Sequence, residues 1–262
     1  MPASITVTGM VLSATPVGDY DKRLVILTRE TGKISAFAKG ARRPNSALLA
    51  CSEPFAFGEF VLYVGRSSYT VRSAEIANYF PELRVDFEKL CYGLYFCEFA
   101  DYITKENNDE KDILKLLYQT LRALVKNTIE LPLIRVIFEL KIMAINGEAP
   151  QVFYCVKCEG RSNKENENEN TLPGRYHFSS ESCGILCEAC KIHDKRAMLI
   201  DTSTLYAMQY IISKDIKKLY TFRVNTKVLN ELTRCVKSYL RRFVDYEFKT
   251  LQMLYSFNKG SF

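Results

Sequence analysis

Two Cys-x-x-Cys pairs, at residues 155–158 and 187–190, restrict what this chain can fold into more than any other feature. Each pair makes a turn that directs two thiolates toward one point, and two such turns complete the tetrahedron of four sulfurs that Zn²⁺ prefers in a closed structural site. We therefore predict one structural zinc ion. Cys183 and His193 lie near enough along the chain to compete for a ligand position. The predicted ligands are Cys155, Cys158, Cys187 and Cys190.

The spacing of the two pairs is wider than in a typical zinc ribbon. The 28 residues between Cys158 and Cys187 exceed the usual range of roughly 15 to 20. Twelve of them, residues 163–174, begin with an alternating Asn/Glu tract that lacks the apolar surface needed to fold, and 16 residues remain without this insert. A redox role is less favoured, because thioredoxin-like pairs lie in a βαβ setting that the surrounding sequence lacks.

The first 80 residues alternate apolar and polar side chains in short runs, which is the pattern of half-buried strands. Glu30-Thr31-Gly32 supplies a turn between the second and third runs, since glycine readily takes a positive φ. Five such runs without an intervening helix predict a small closed antiparallel barrel, with residues 40–54 as its long excursion. The predicted strands are Ile5–Val17, Arg23–Thr28, Lys33–Lys39, Phe55–Val64 and Tyr69–Tyr79.

From Pro81 onward the apolar residues recur with the period of an α-helix. Leu131–Ile145 is apolar nearly all round and predicts a central helix, and Asp201 is the predicted N-cap of a later helical block. The fold class is therefore α+β and multidomain. The predicted domains are an OB-type small β-barrel at residues 1–80, an all-α domain made of residues 81–150 and 196–262, and a zinc-ribbon insertion at residues 151–195.

The net charge of +6 is concentrated at the two ends of the chain. Residues 191–262 carry fourteen basic and six acidic groups, residues 1–80 carry nine and six, and the middle is mildly acidic. Basic ends favour a polyanionic partner, because each neutralised phosphate releases condensed counterions. A soluble surface that is merely basic explains the same numbers equally well.

One basic cluster lies where the predicted barrel begins its long excursion, in the sequence Lys-Gly-Ala-Arg-Arg at residues 39–43. Oligonucleotides commonly bind this region of small barrels, so the cluster favours DNA contact over a merely solvated loop. Aromatic residues of the barrel can stack bases or fill its core, and the core is favoured for most of them. The predicted DNA-binding residues are Arg23, Lys33, Lys39, Arg42 and Arg43. The aromatic residues in question are Tyr20, Phe37, Phe55, Phe57, Phe60, Tyr63 and Tyr69.

A second cationic face is predicted near the C-terminus. Lys227, Arg234 and Arg241 recur every seven residues with Lys237 alongside, opposite an apolar stripe, which is the pattern of a helix that packs one face and exposes the other. That face suits a DNA or a protein partner, and a solvated face without a partner is an equal alternative.

Several functional classes are disfavoured. The two histidines both lie in or beside the cysteine region, and the chain has no P-loop, no dinucleotide-binding glycine motif and no His-Glu-x-x-His. We therefore expect no enzymatic activity. The longest apolar run is eight residues, too short to span a bilayer, and the N-terminus lacks the charged region of a secretory signal. These features predict a cytosolic protein that contacts no membrane.

The whole pattern resembles the RecO family of bacterial DNA repair proteins. The resemblance covers nearly the entire chain and is most specific in residues 32–43, in Phe178-Ser179 and in residues 184–190, with a helical core that begins near residues 80–84. Members often carry Gly-Gly where this sequence has Cys183-Gly184. That departure keeps Cys183 as a competitor for the metal.

The resemblance implies a recombination mediator without catalytic turnover, located in the cytoplasm at the nucleoid. Family members bind single- and double-stranded DNA, anneal complementary strands, act with RecR, and help RecA onto strands coated by single-stranded-DNA-binding protein. The matching basic positions Lys33, Lys39, Arg42 and Arg43 would hold the DNA backbone. The acidic, Phe-ended tail of single-stranded-DNA-binding protein docks on the family's helical domain, and the face around Lys227 suits it by charge.

Two other interpretations compete with this one. In the first, the chain is a zinc-ribbon adaptor whose barrel binds a protein and does not touch DNA. In the second, it is a metal-dependent enzyme that acts on nucleic acid. DNA binding separates the first from the family interpretation, and the effect of removing the metal on folding separates the second.

Overall fold

The structure, a computed structural model, describes residues 3–66, 68–158 and 175–259. The chain forms two compact units, one made of Met1–Thr128 with Glu247–Phe262 and the other of Ile129–Tyr246. These units are groupings by contact, so the predicted domain limits at residues 80, 150 and 195 stay predictions. The predicted Asn/Glu insert lies outside the described residues.

Five strands form a closed barrel in the first unit, with the order β1-β2-β3-β5-β4. This confirms the predicted OB-type barrel. The long β1 pairs antiparallel with both β2 and β4. The prediction that the barrel is antiparallel throughout is wrong at one place, because the short pairing of β3 with β5 that completes the closure is parallel. The strands are β1 Ser4–Val17, β2 Asp21–Thr28, β3 Gly32–Ala38, β4 Phe57–Val64 and β5 Tyr69–Asn78.

The alternation in the sequence places one side of each strand in the barrel core. On β3, buried residues alternate strictly with half-buried ones, as expected when successive side chains point to opposite faces. The predicted turn before β3 is confirmed: Gly32 has a φ of +68°, and a Cβ there would lie 2.6 Å from the carbonyl oxygen of Lys105. The larger core side chains are Val7, Val11, Leu24, Ile26, Ile34, Phe60, Leu62 and Val71.

In the described part of the chain six α-helices follow the barrel, and none of them combines the length and the apolar character needed to cross a bilayer. The predicted helix Leu131–Ile145 and the predicted N-cap Asp201, which accepts a hydrogen bond from the Ser203 N–H at 2.9 Å, are both confirmed. The helices are α1 Phe87–Ile103, α2 Lys111–Lys126, α3 Leu131–Ile145, α4 Thr202–Ser213, α5 Thr226–Phe243 and α6 Lys249–Lys259.

Helices α1, α2 and α6 belong to the same unit as the barrel. Phe248, immediately before α6, inserts its ring between side chains of α1, with ring centroids 5.2 Å from Tyr95 and 4.8 Å from Phe99. Aromatic pairs at these distances add to the stabilisation from burial alone. The sequence did not indicate α6 as a separate helix, because its docking depends on this distant aromatic cluster.

Helices α3, α4 and α5 belong to the second unit together with a small three-stranded sheet. The buried Lys141 ammonium on α3 donates to the carbonyl oxygens of Ile212 and Lys214, each at 2.8 Å. Its charge is thereby solvated by the C-terminal end of α4. The sheet consists of β6 Tyr176–Ser179, β7 Gly184–Cys187 and β8 Met198–Ile200, in the order β7-β6-β8.

Candidate metal centre and nucleic-acid interface

The four predicted cysteines meet at one point in the second unit. Cys155 and Cys158 lie in a turn before the undescribed segment, Cys187 ends β7, and Cys190 follows in a short 3₁₀ turn. Their Sγ atoms all lie within 4.8 Å of one another, and those of Cys158 and Cys187 are 3.8 Å apart. The prediction that these residues form one cluster is confirmed.

Backbone hydrogen bonds hold the two cysteine turns against each other. The Cys187 N–H donates to Sγ of Cys155 at 3.4 Å, and the Val156 N–H donates to the Ile185 carbonyl at 3.0 Å. Because β7 is paired with β6 in the small sheet, the second turn is carried by a fixed strand. The four sulfurs are therefore arranged by the fold itself.

The ionisation of the cysteines favours a bound cation. Burial raises the pKa of Cys155, but N–H groups of Cys187, Cys158 and Lys157 donate to its sulfur and lower the pKa to about 6. Burial and hydrogen bonding to the other three sulfurs raise the pKa of Cys190 to about 12. Four thiolates in one place repel each other, and a divalent cation between them removes that conflict. The donor set therefore fits one metal ion.

The two competing residues lie outside the four-sulfur cluster. The cluster of nearby donor atoms in the described residues contains four cysteines and neither Cys183 nor His193. Cys183 has a φ of +55°, a conformation that glycine adopts more easily than other residues. A Cβ at the next residue, Gly184, would lie 2.4 Å from the Gln151 carbonyl oxygen. This backbone explains why a Gly-Gly pair suits the turn.

Replacing Cys183 with Gly tests this assignment. We expect Cys183→Gly to keep the metal content of the wild type, because the thiol is not a ligand. The free energy of unfolding should change by no more than about 1 kcal/mol, because relief of the left-handed strain opposes the larger entropy of an unfolded glycine. Metal analysis and urea denaturation measure the two effects. Loss of the metal would show that Cys183 is a ligand.

The predicted DNA-binding loop is held in a defined shape. The Arg42 N–H donates to the Tyr20 carbonyl at 2.8 Å, and the Gly40 N–H donates to the Asp21 carboxylate at 2.7 Å. The Arg43 guanidinium lies over the Tyr20 ring, 5.1 Å from its centroid. Lys39, Arg42 and Arg43 are all exposed, so the loop presents three cations to solvent from a fixed backbone.

A row of outward side chains crosses the barrel beside this loop. Arg23 on β2 pairs with Phe37 on β3, Phe37 pairs with Thr70 on β5, and Thr70 pairs with Tyr63 on β4. Directly paired residues share one face of a sheet, and the buried core residues occupy the other face. The Arg72 guanidinium lies 5.7 Å from the centre of the Tyr63 ring. The row, together with Arg72, thus brings two cations and two aromatic rings onto the outer face of four strands.

Lys33 differs from the other predicted DNA-binding residues. Its ammonium lies 3.0 Å from the Asp101 carboxylate on α1 and is partly buried. The charge of Lys33 is therefore paired within the protein, and its role in DNA binding stays a prediction.

The aromatic residues of the barrel were predicted to lie mostly in its core, and this holds only in part. Phe55 and Phe60 are fully buried, whereas Phe37 and Tyr63 lie on the outer face.

The predicted face of α5 is exposed along its length. Lys227, Arg234, Lys237 and Arg241 are exposed, and the opposite stripe of the helix is buried. The Lys227 ammonium donates to the Asp201 carboxylate at 2.8 Å, which lowers the pKa of Asp201 to about 2 and raises that of Lys227. The charge of Lys227 is therefore partly neutralised by Asp201, a residue of the same unit.

Sequence reasoning missed two cations near this face. Arg196 and Arg242 line a cleft of about 450 Å³ together with Arg241, Glu181 and Asp194, and Arg242 pairs with Glu181 at 3.2 Å. The Arg-Arg sequence at 241–242 was a visible signal for one of them. Arg196 is brought there only by the tertiary fold.

A closed OB-type barrel whose outer face carries cations and aromatic rings, followed by a helical unit with a small sheet and a cluster of four cysteines, defines a class of multidomain proteins built on an OB-type barrel. The family model described as "Recombination protein O N terminal" matches residues 1–80, and that described as "Recombination protein O C terminal" matches residues 84–252. The chain belongs to the RecO family of DNA repair proteins.

Three proteins of this family are similar to the chain over nearly its full length. The "DNA repair protein RecO" of Alkaliphilus metalliredigens is 35% identical over 237 residues, which cover 90% of this chain and 92% of that protein. That of Acetivibrio thermocellus is 32% identical over 247 residues, covering 94% of both chains. The RecO of Symbiobacterium thermophilum is 29% identical and covers 96% of this chain and 97% of its own.

Proposed function

We propose that the protein is a recombination mediator that binds single- and double-stranded DNA without sequence preference and anneals complementary strands. The observation that carries this proposal is the cationic and aromatic row across the barrel, which adjoins the fixed loop of Lys39, Arg42 and Arg43. Cations hold phosphates of any sequence, and aromatic rings accept any base.

Annealing follows from the same electrostatics. Two complementary strands repel each other through their phosphates, and a surface that holds both backbones lowers this repulsion while leaving base edges free to pair. No covalent chemistry is needed for this step, so we propose that the protein acts without catalytic turnover. Its partners would be RecR, single-stranded-DNA-binding protein and RecA, in the cytoplasm at the nucleoid.

We propose that the metal at the four cysteines is Zn²⁺ and that its role is structural. Four thiolate ligands close the coordination sphere and suit zinc, whereas a catalytic zinc keeps one position open. Cys155, Cys158, Cys187 and Cys190 would hold the ion. The ion would stabilise the fold of the second unit.

The direct test is a fluorescence-anisotropy titration of the full chain with a single-stranded oligonucleotide at two salt concentrations. We expect binding that weakens as salt rises and differs little among sequences of equal length. An absence of binding in dilute buffer would overturn the proposal in favour of a protein-interaction adaptor. Strong preference for one sequence would argue against binding through the backbone.

A further inference from the structure

A cavity of about 860 Å³ lies within the second unit, between α4 and the segment 221–225 that leads into α5. Its described lining residues belong neither to the cysteine cluster nor to the barrel. Its walls include three aromatic rings, those of Tyr206, Tyr210 and Phe222. A concave site of this volume is in the range that accommodates small organic groups.

The aromatic side chains of the cavity are arranged on one face of α4 and on the facing segment. Tyr206 and Tyr210 are four residues apart on α4 and so share a face. The Phe222 ring meets Tyr210 edge-on, with centroids 5.1 Å apart and planes at 68°, and the Tyr210 hydroxyl donates to the Lys218 carbonyl at 3.2 Å. Tyr210 is thus held in place, whereas Tyr206 is 67% exposed and offers an open ring.

The remaining lining is mixed: it contains apolar side chains, several uncharged polar side chains and the cation Arg223. Thr202, Ser203, Thr221 and Asn225 contribute hydroxyl and amide groups around the rings. The polar part of the wall favours a ligand that has hydrogen-bonding groups of its own, since polar groups covered by a purely apolar ligand lose water without gaining a partner. A flat ring with hydrogen-bonding edges fits both parts of the lining, the aromatic and the polar.

The charge around the cavity indicates that this ring belongs to a polyanion. Residues 214–227 contain five basic side chains and one acidic one. Lys227 among them is paired with Asp201, and another of the cations, Arg223, lines the cavity itself. Phosphates that connect successive rings would lie against this basic segment. A nucleic acid with accessible bases supplies both the rings and the phosphates.

We infer that this cavity, the α4–α5 cavity, receives unpaired bases of single-stranded DNA, which stack on Tyr206 and Phe222 while the basic segment 214–227 holds the adjoining phosphates. The inference rests on the proposed DNA-binding function and adds a second strand-binding site in the other unit of the chain. Duplex DNA is excluded from it, because its bases are already stacked and paired. The site therefore distinguishes single strands from duplex.

The test compares Tyr206→Ala with the wild-type full chain. We expect affinity for an oligothymidine to fall about 10-fold, since base–aromatic stacking is lost, and affinity for duplex to stay unchanged. The slope of affinity against salt should also stay unchanged, because tyrosine carries no charge. Tyr206→Phe should restore binding. Tyr255→Ala replaces an exposed tyrosine on α6 and serves as the control for folding and general surface change.

Other outcomes overturn the inference. If Tyr206→Ala binds oligothymidine as the wild type does, or loses single-stranded and duplex binding equally, the cavity does not receive unpaired bases. If an acidic peptide that ends in Phe displaces oligothymidine from wild type and binds Tyr206→Ala more weakly, the cavity is a peptide site instead. A wild-type chain that binds no DNA at all refutes the proposed function itself, so the two failures are distinguishable.

Discussion

Cys155→Ser should lose the bound metal and unfold the region around the cysteine cluster. Cys155 is buried and accepts a hydrogen bond from the Cys187 N–H, so the change removes one ligand and disturbs the contact between the two turns. Structural zinc binding to small domains contributes on the order of 10 kcal/mol at neutral pH. We therefore expect zinc content near zero, early thermal unfolding and rapid proteolysis within residues 129–246.

Cys183→Ser is the matched control for this result. Its thiol lies in the same region but outside the four-sulfur cluster, so the variant should keep its zinc and its melting temperature. A Cys155→Ser protein that stays fully folded without metal would contradict a structural role. If that folded variant also lost a nuclease-like activity seen in the wild type, the metal would be catalytic and the enzyme interpretation would stand.

The double variant Arg42→Glu, Arg43→Glu should weaken binding to all DNA sequences alike. Both side chains are exposed on the fixed loop, and reversing two charges removes phosphate contacts and adds repulsion. We expect the affinity to fall roughly 100-fold at low salt. The slope of log affinity against log salt is negative, and its magnitude should decrease by about 1.4 for single strands. Anisotropy titrations with several sequences at three salt concentrations measure both quantities.

A control with the same change in charge separates a local contact from a general loss of positive charge. Arg122→Glu, Lys126→Glu places two reversals on exposed positions of α2 in the same unit. If this control weakens binding as much as the loop variant, the loop is not a specific contact. A loss confined to one DNA sequence would indicate base readout and contradict the proposed mode of binding.

The barrel and the cysteine cluster were predictable from the sequence because their signals are local. Alternation along a strand and the Cys-x-x-Cys spacing are set by neighbouring residues, and both were confirmed. The sequence favoured these four cysteines but kept Cys183 as a competitor, because its exclusion depends on how β7 turns relative to the first pair. The helix α6 was missed for a similar reason, since its position depends on Phe248 docking against Tyr95 and Phe99.

The DNA-binding candidates were also predictable only where their signal is local. The loop cations were visible as a cluster, but the outer row required the register of β3 against β5, a pairing between strands more than thirty residues apart. Likewise, no pattern in the sequence indicated that Lys33 would pair with Asp101, 68 residues away. Long-range pairing decides which of several similar cations remain available, and composition alone cannot decide it.

The hydrogen bonds from Gly40 to Asp21 at the start of β2, and from Arg42 to Tyr20 in the turn before it, have a kinetic consequence. A loop that is already held by such hydrogen bonds loses little conformational freedom on association, so we expect capture of a strand to need no slow rearrangement. Stopped-flow traces should then show a single bimolecular phase whose rate rises linearly with protein concentration. The backbone amides of Gly40 and Arg42 should resist deuterium exchange as strongly in the free protein as in the complex.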